Sequence, residues 1–314
     1  MSLGQTVRWL RSGGRLIGTI ARVTDELALA VDIGGTKLAT GLVTADGRLI
    51  ERRQAPTNAA TADDLYAVVL DLARASLAEA PVGPTVVGIG SGGPSRDNHR
   101  FLSPLNIEVW RDFPLRDRLT SDLKLDVHVD NDAKALALAE GWKGAAVGVQ
   151  NFIGMVVSTG VGGGIVLNGR LLDGAQGNAG HVGHMFVEPD GHPDANHVRG
   201  LLEGVASGTG IAGATGRPAA EADQDMRRKV GVWVGRAVAS VANLLDLQLA
   251  VVAGSVALGY GDDFFSAAQQ TIDELSRIQH AQGTKIVPAG LGDEAPLIGA
   301  AAVGWRGLGR VILS

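Results

Sequence analysis

The sequence predicts an α/β protein built from two lobes that face a central cleft. Its 314 residues exceed the roughly 100–200 residues of a usual domain. A strand, a tight glycine turn and a second strand occur near residue 32 and again near residue 158. Hydrophobic residues make up 45% of the chain and charged residues 19%, as in ordinary globular proteins. Two similar lobes, each starting with a glycine hairpin, follow from these observations.

The composition excludes several classes of function. The chain has no cysteine, so disulfides, thiolate nucleophiles and cysteine-built zinc sites are ruled out. Few aromatic residues and a net charge of −5 argue against a nucleic-acid partner. Apolar runs stay well short of the roughly 20 residues that span a bilayer, and the amino terminus lacks the apolar core of a signal peptide. We therefore expect a cytoplasmic protein without a membrane partner.

Residues 1–26 read as an amino-terminal extension. They carry Arg8, Arg11, Arg15 and Arg22 without a long apolar period. Termini are generally mobile, so we expect a segment packed loosely on the surface. A basic binding arm is the alternative, although four arginines are a weak electrostatic signal.

The first half of the chain predicts three strands, a helix, two further strands and a second helix. Asp46-Gly47 between apolar runs is a strong hairpin signal, and 62–79 has helical spacing. The predicted elements are the strands within 27–56, the helix 62–79, the strand 84–90, the strand within 126–133 and the helix 134–142.

The second half repeats the theme. Its predicted elements are the strand, glycine turn and strand within 151–172, a helix from about 227 to 245, the strand 249–256 and a terminal helix from about 297, preceded by Pro296. We expect an amino-terminal lobe at 27–133 and a larger carboxy-terminal lobe at 134–296. The terminal helix, about 297–314, is expected to pack on the first lobe.

Two glycine turns are candidate phosphate sites. At the first, Asp32 ends a strand and Gly34, Gly35, Thr36 and Lys37 follow, which exposes backbone N–H groups where an anion can bind. A plain hairpin turn with a capping Asp explains this segment equally well. At 158–164 the run STGVGGG holds three adjacent glycines, whose entropic cost favours a second phosphate contact over a simple turn.

Two familiar nucleotide motifs do not apply. The chain has no G-x-x-x-x-G-K-[ST] segment, which excludes a P-loop NTPase. G-x-G-x-x-G occurs at 88–93 and 208–213. The first follows a strand, but GGPSRDNHRFLSP comes next rather than a helix, so a Rossmann dehydrogenase is a minor alternative.

Asp130-Asn131-Asp132 closes a strand and opens a helix, where Asn and Asp also serve as caps. Together with Asn106 and two glycine turns, the triplet suggests phosphoryl transfer, which needs positioning, charge stabilisation and one acceptor for a hydroxyl proton.

A histidine-rich stretch follows the second glycine turn. His181, His184, His192 and His197 lie within 177–197, and clustered histidines suggest a metal or a polar ligand. Loop histidines bonded to backbone are an equal alternative.

Read together, these segments resemble the ROK family, named for repressor, open reading frame and kinase, within the actin-like/hexokinase superfamily of ribonuclease H-like ATPases. DIGGTKLA, SPLNIEVW, VDNDAKALALAE, VSTGVGGG, AGHVGHM, EGVASG and VVAGSV occur in the family's order between about Leu27 and residue 300. The resemblance implies a sugar kinase, and the pattern GHVGH is more similar to bacterial N-acetylmannosamine kinases than to glucokinases of the family.

The resemblance also implies roles for individual residues. Asp132 would be the general base for the sugar hydroxyl, and Mg²⁺ would bridge the phosphates of ATP with Asp32 close by. The residues implied for sugar binding are Gly92, Asn106, Asn131, His181, His184 and Glu203. Those implied for nucleotide binding are Asp32, Gly34, Gly35, Thr36, Lys37, Thr159, Gly160, Gly162 and Gly254.

This chain departs from the family pattern at two places. Family members carry a zinc site made from the His of E-x-G-H and three cysteines of C-x-C-G-x-x-G-C, but the matching stretch here is 194–201, DANHVRGL. We expect no zinc; a substitute site of His184, His192, Asp194 and His197 is a minor alternative. In addition, His181 stands where many family glucokinases have a sugar-binding Glu. Neutral imidazole can still bond a hydroxyl or an N-acyl carbonyl.

We therefore expect ATP-dependent phosphorylation of a hexose or N-acylhexosamine, with N-acetylmannosamine and its 6-hydroxyl favoured over glucose. Polyphosphate as donor is left open. A repressor is less favoured because residues 1–26 are too few for a helix-turn-helix domain, and a sensor without turnover is a further alternative. The family suggests a homodimer.

Overall fold

The computed structural model describes residues 6–12, 15–21, 26–194 and 196–313, with side-chain burial given from residue 26 onward. The protein divides into two compact units. The first runs to Asp130 and takes up Pro296–Ile312, and the second is Asn131–Ala295 with the last residues of the chain. Both units are α/β, as predicted. The predicted lobe boundaries at 133 and 296 stay predictions.

The amino-terminal segment contains two strands that the sequence analysis missed. β1 (Thr6–Ser12) and β2 (Arg15–Ala21) pair antiparallel, with Thr6 opposite Ala21 and Ser12 opposite Arg15. Part of the predicted extension is therefore paired β-strand. The predicted loose packing and the predicted basic arm depend on side chains that lie outside the described residues.

The five-stranded sheet of the first unit begins with the predicted antiparallel strands. β3 (Leu27–Ile33) is buried at six of its seven positions, β4 (Lys37–Thr44) at seven of eight, and β5 (Leu49–Pro56) alternates at the sheet edge. Gly47 adopts a positive φ of 88° in the predicted Asp-Gly turn, a conformation that suits glycine.

The sheet of the first unit has the order β5-β4-β3-β6-β9. Its remaining elements are α1 (Ala62–Ala78), β6 (Val86–Ser91), β7 (Ser95–Arg96), β8 (Phe101–Leu102), α2 (Leu115–Leu123) and β9 (Val127–Asn131). Thr61 caps α1 by accepting from the backbone N–H of Asp64 at 3.1 Å. Buried apolar side chains of α1, β3, β6 and the 107–119 segment form one core cluster.

The second unit opens with α3 (Asp132–Lys143), which starts two residues earlier than the predicted helix 134–142. β10 (Phe152–Val157), β11 (Val161–Leu167) and β12 (Arg170–Leu171) then form an antiparallel meander. The turn between β10 and β11 is therefore confined to 158–160.

The rest of the second unit is largely helical. It contains α4 (Leu202–Ala206), α5 (Gly208–Thr215), α6 (Gln224–Leu245), β13 (Leu249–Ala253), α7 (Ser255–Tyr260), α8 (Asp262–Leu275) and β14 (Lys285–Pro288). The predicted strand 249–256 is wrong at its end, since Gly254 leaves the strand with φ 105° and α7 begins at Ser255. The sheet order β12-β11-β10-β13-β14 repeats that of the first unit.

The last helix, α9 (Ala295–Gly307), belongs mostly to the first unit. It is shorter than the predicted helix 297–314, and Pro296 lies in its first turn as expected. The helix packs closely on β6, since a Cβ added to Gly88 would lie 2.6 Å from the backbone nitrogen of Gly304. No helix in the described part of the chain is long and apolar enough to cross a bilayer.

Candidate functional site

The residues predicted for one site belong to both units, and the first unit holds the turn after β3. Gly35, Thr36 and Lys37 are exposed, and the turn is closed by Gly34 N–H donating to the carbonyl of Lys37 at 3.0 Å. Thr57 also holds the turn, because its hydroxyl donates to the Gly34 carbonyl at 2.7 Å. The tip of the turn is therefore exposed to solvent, and its base is held by hydrogen bonds.

Asn106 lies directly against this turn. A Cβ added to Gly35 would be 2.5 Å from the Cβ of Asn106, so a side chain at position 35 would displace the asparagine. The neighbouring segment carries Gly92 and a cis peptide at Gly93–Pro94. It is tied to the Asn106 loop because Leu105 N–H donates to the carbonyl of Gly93 at 3.1 Å. The first unit thus brings three predicted features, the 34–37 turn, Gly92 and Asn106, into one region.

Asn131 and Asp132 occupy the amino terminus of α3 in the second unit. Asn131 is the N-cap, and its Oδ1 accepts from Ala133 N–H at 3.0 Å. Asp132 Oδ1 accepts from the same N–H at 2.8 Å. The capping role considered for the triplet is therefore present. It fixes both side chains at a helix N-terminus, where a carboxylate is electrostatically favoured.

The environment of Asp132 raises the pKa of its carboxyl above the ordinary range. Desolvation by surrounding protein is the main cause, and it outweighs the hydrogen bond from Ala133, the nearby His181 and the bond with Asn131, all of which lower the pKa. The side chain nevertheless remains accessible to solvent, which limits the size of the shift. A carboxylate whose pKa is raised is a better proton acceptor.

The glycines after the second turn pack closely against neighbouring residues. Gly162, Gly163 and Gly164 belong to β11, which corrects the expectation that 158–164 is all turn. A Cβ at Gly162 would lie 3.0 Å from the Cβ of Ala133, and one at Gly164 would lie 2.7 Å from the Cα of Lys134. These glycines let β11 approach the start of α3, so their presence alone is no argument for a phosphate contact.

Glu203 links the predicted sugar residues to the second turn. Its Oε2 accepts from Val161 N–H at 3.0 Å, and a Cβ at Gly160 would lie 3.0 Å from the same oxygen. Glu203 is thus a support of the 158–160 turn, a role that the sequence did not indicate because its partner is 42 residues away.

His181 and His184 lie side by side after β12, with ring centroids 6.2 Å apart. Nδ1 of His181 is 3.0 Å from the carbonyl of Asn178. A carbonyl can only accept, so Nδ1 carries the proton, and in the neutral ring Nε2 is an acceptor. This tautomer bonds a ligand hydroxyl or amide N–H, and not the N-acyl carbonyl that the sequence analysis allowed.

Lys134 is a further residue of this region that sequence reasoning missed. Its side chain is 1% exposed, and its Nζ donates to Asp173 Oδ1 at 3.2 Å and to the carbonyl of Gly177 at 2.9 Å. The lysine therefore ties α3, which begins at Asp132, to the loop that leads to His181. Its position two residues after Asp132 was the available signal.

The histidine-rich loop does not form the substitute metal site. Within residues 26–194 and 196–313, no group of three or more His, Asp or Glu side chains could hold an ion. His192 Nδ1 is 2.9 Å from the carbonyl of Pro193, and His184 Nε2 is 3.9 Å from Asp194 Oδ2. Zinc requires about four close nitrogen, sulfur or oxygen ligands, and these residues do not provide them.

A pocket of about 560 Å³ lies beside Gly254 in the second unit. Ser158, Thr159, Thr209, Ser255 and Tyr260 are among its lining residues. A Cβ at Gly254 would collide with the carbonyl of Val157, so glycine is required where α7 begins. The pocket adjoins the 158–160 turn, an arrangement that suits a nucleoside whose phosphates reach that turn.

Comparison with known proteins identifies relatives over nearly the whole chain. The model of the ROK family matches residues 28–305. The chain is 32% identical to a glucokinase of Halalkalibacterium halodurans, over 90% of this chain and 95% of that protein. It is 35% identical to an N-acetylmannosamine kinase of Yersinia pseudotuberculosis, over 86% and 99%. A Streptomyces griseus ROK glucokinase, solved with glucose and AMPPNP, superposes with a TM-score of 0.75 at 28% identity, covering 89% of this chain and 99% of that one.

Proposed function

Because the chain belongs to the ROK family and is a carbohydrate kinase of it, we propose that it transfers the γ-phosphoryl group of ATP to the 6-hydroxyl of an N-acylhexosamine, with N-acetylmannosamine favoured. The observation that carries the proposal is the cluster in the second unit. There Asp132, at the start of α3, lies beside His181 and close to the β11 strand whose turn Glu203 supports.

Asp132 is the proposed general base. It takes the proton from the sugar hydroxyl as the oxygen attacks the γ-phosphorus, and the bond from that phosphorus to the bridging oxygen of ADP breaks. The raised pKa of Asp132 brings its basicity closer to working pH. The helix N-terminus and the N-cap Asn131 keep the carboxylate oriented.

The two glycine turns are proposed phosphate contacts. In the first unit these residues are Asp32, Gly34, Gly35, Thr36 and Lys37, and in the second Thr159, Gly160 and Gly162, with Gly254 at the nucleoside pocket. Mg²⁺ typically binds through one or two carboxylates and the substrate phosphates rather than in an all-protein cage. Asp32 is a carboxylate of the right kind at the base of the exposed 34–37 turn, and the ion would neutralise charge on the transferred group.

Sugar binding is proposed for Gly92, Asn106, Asn131, His181, His184 and Glu203. The substrate preference rests on His181. A carboxylate at this place could accept from several sugar hydroxyls, whereas His181 Nε2 offers one acceptor. One acceptor suits the single amide N–H of a 2-acylamino group. Glucose is the second candidate, favoured by the similarity to the Halalkalibacterium glucokinase. A cytoplasmic homodimer stays a prediction.

The test is release of ADP from ATP with N-acetylmannosamine, N-acetylglucosamine, glucose or mannose as acceptor, and formation of sugar phosphate when polyphosphate replaces ATP. We expect the highest kcat/KM for N-acetylmannosamine. His181→Glu should lower the ratio of kcat/KM for N-acetylmannosamine to that for glucose by about 10-fold or more, within the range that single pocket contacts provide. If no acceptor on the panel releases ADP above the rate without sugar, the proposed activity is wrong.

A further inference from the structure

A buried carboxylate lies at the centre of the histidine-rich loop. The side chain of Asp194 has no exposed area. Its Oδ1 accepts from the N–H groups of Asn196 and Val198, both at 2.9 Å. A backbone hydrogen bond also closes the turn, in which Asp194 N–H donates to the carbonyl of Val198 at 2.9 Å. One carboxylate thus organises the 194–198 turn.

The same carboxylate reaches the proposed sugar site. Its second oxygen, Oδ2, is 3.9 Å from Nε2 of His184, too long for a hydrogen bond but close enough for electrostatic attraction. The loop backbone also packs on α4, because a Cβ at Gly204 would lie 2.9 Å from the backbone nitrogen of Asp194. Gly204 follows Glu203, so the turn around Asp194 supports both proposed sugar residues.

Asp194 keeps its charge at neutral pH. Burial alone would raise the pKa of this carboxyl, but the hydrogen bonds from Val198 and Asn196 outweigh burial and lower the pKa. The nearby His184 acts in the same direction. A carboxylate that accepts several backbone N–H bonds is expected to stay ionised.

The residues that replace the zinc ligands of the family do not fit zinc. Asp194, Asn196 and Leu201 stand at the three cysteine positions. Leu201 is 9% exposed and offers only carbon atoms, and its backbone pairs with Phe186. The stretch is held by hydrogen bonds and apolar contacts instead.

We propose that Asp194 is a positioning residue that takes the structural place of the family's zinc: its Oδ1 holds the 194–198 turn closed, and its Oδ2 orients His184 toward the sugar. The role in orienting His184 rests on the proposed sugar kinase activity. The role in closing the turn does not, so the two can be tested separately.

The first measurement is amide hydrogen exchange in the full chain. Asp194→Ala removes the acceptor for two N–H groups, so the amides of Asn196 and Val198 should exchange at least about 10-fold faster. Asp194→Asn retains an oxygen at Oδ1 and should leave both amides nearly as slow as in the wild type. The control is Asp190→Asn, which removes a charge from an exposed residue of the same loop.

The second measurement is the sugar dependence of ADP release. Asp194→Asn removes the charge that faces His184, so KM for the sugar should rise about 10-fold while kcat changes less than about 2-fold, the scale reported for partners that orient a ligating histidine. Asp190→Asn should leave both constants unchanged. A purely structural residue would not give this split between KM and kcat in a variant whose amide exchange is normal.

Each result decides one part of the proposal. Unchanged exchange at Val198 in Asp194→Ala would overturn the role in the turn, and an unchanged KM in Asp194→Asn would overturn the role at His184. If the purified protein contains stoichiometric zinc, and if removing that zinc with a chelator speeds amide exchange at Val198, the claim that Asp194 takes the place of the metal is wrong. A wild type that phosphorylates no sugar would remove the proposed function and leave the exchange result standing.

Discussion

Replacing Asp132 by Asn tests the proposed general base with little change in shape. The Oδ1 of an asparagine can still accept from Ala133 N–H, as Asp132 does at 2.8 Å, and Asn131 independently caps the helix. The amide, however, cannot take a proton from a sugar hydroxyl. Loss of a general base costs about 10²–10⁴-fold in kcat, which at about 1.36 kcal/mol per tenfold equals roughly 3–5 kcal/mol of transition-state stabilisation.

The pKa of Asp132 gives the expected sign of the stability change. The folded-state pKa lies above the unfolded value, so the contribution of Asp132 to stability is fully present below the unfolded pKa. That contribution is lost as pH rises through the folded pKa. At pH 7.5 the ionised carboxylate is therefore unfavourable for folding. Asp132→Asn should have a Tm equal to or above that of the wild type.

The assay combines steady-state ADP release, sugar binding by calorimetry and thermal unfolding at pH 7.5. We expect kcat to fall at least about 100-fold, with the sugar Kd within about 3-fold of wild type and no loss of Tm. In the wild type, kcat/KM should also decline as pH drops through a pKa above the ordinary aspartate value of about 3.9. A variant that keeps wild-type kcat, or one that loses rate only because it unfolds, would refute the assignment.

Two further predictions concern the scaffold. Gly88→Ala should destabilise the protein by on the order of 3 kcal/mol, because the new Cβ overlaps the backbone of α9 at Gly304. The control is Gly83→Ala, whose Cβ has nothing within 4 Å. Its free energy of unfolding in urea should differ from that of the wild type by no more than about 0.5 kcal/mol. Lys134→Met should cost about 1–3 kcal/mol of stability, because it leaves the Gly177 carbonyl without its buried donor, and it should raise KM for the sugar. Lys143→Met, on the exposed side of the same helix, should change neither the stability nor KM. Equal effects of the two substitutions would contradict this role of Lys134.

Much of the fold could be predicted because its strands are local patterns. β3, β4 and β5 follow from apolar runs around Gly34-Gly35 and Asp46-Gly47, and α1 and α6 follow from helical spacing. The end of β13 could not be predicted, since Val256 continues the apolar run and only the positive φ of Gly254 reveals the change of direction. α8 and β14 are absent from the sequence-based assignment, although α8 buries Phe264, Ala268 and Ile272 at helical spacing and could have been predicted.

The candidate site was predicted as a set of residues, but their contacts were not. Glu203 supports Val161 across 42 residues, and Lys134 bonds a carbonyl 43 residues away. Neither pairing has a local signature, because both depend on how β11 and the loop after β12 pack against α3. The glycines of β11 could not be assigned from the sequence for the same reason. Their sequence suggests a turn, and only the structure shows that they pack against the start of α3.

The ability of His181 to accept a hydrogen bond at Nε2 depends on other contacts in the second unit. The acceptor at Nε2 exists because the Asn178 carbonyl fixes the proton on Nδ1. That carbonyl belongs to the loop that Lys134 holds through Gly177, and Lys134 extends from the helix that begins at Asp132. The proposed base and the proposed specificity residue therefore share one support. A change that moves the loop would alter the sugar preference and the alignment of the attacking hydroxyl together.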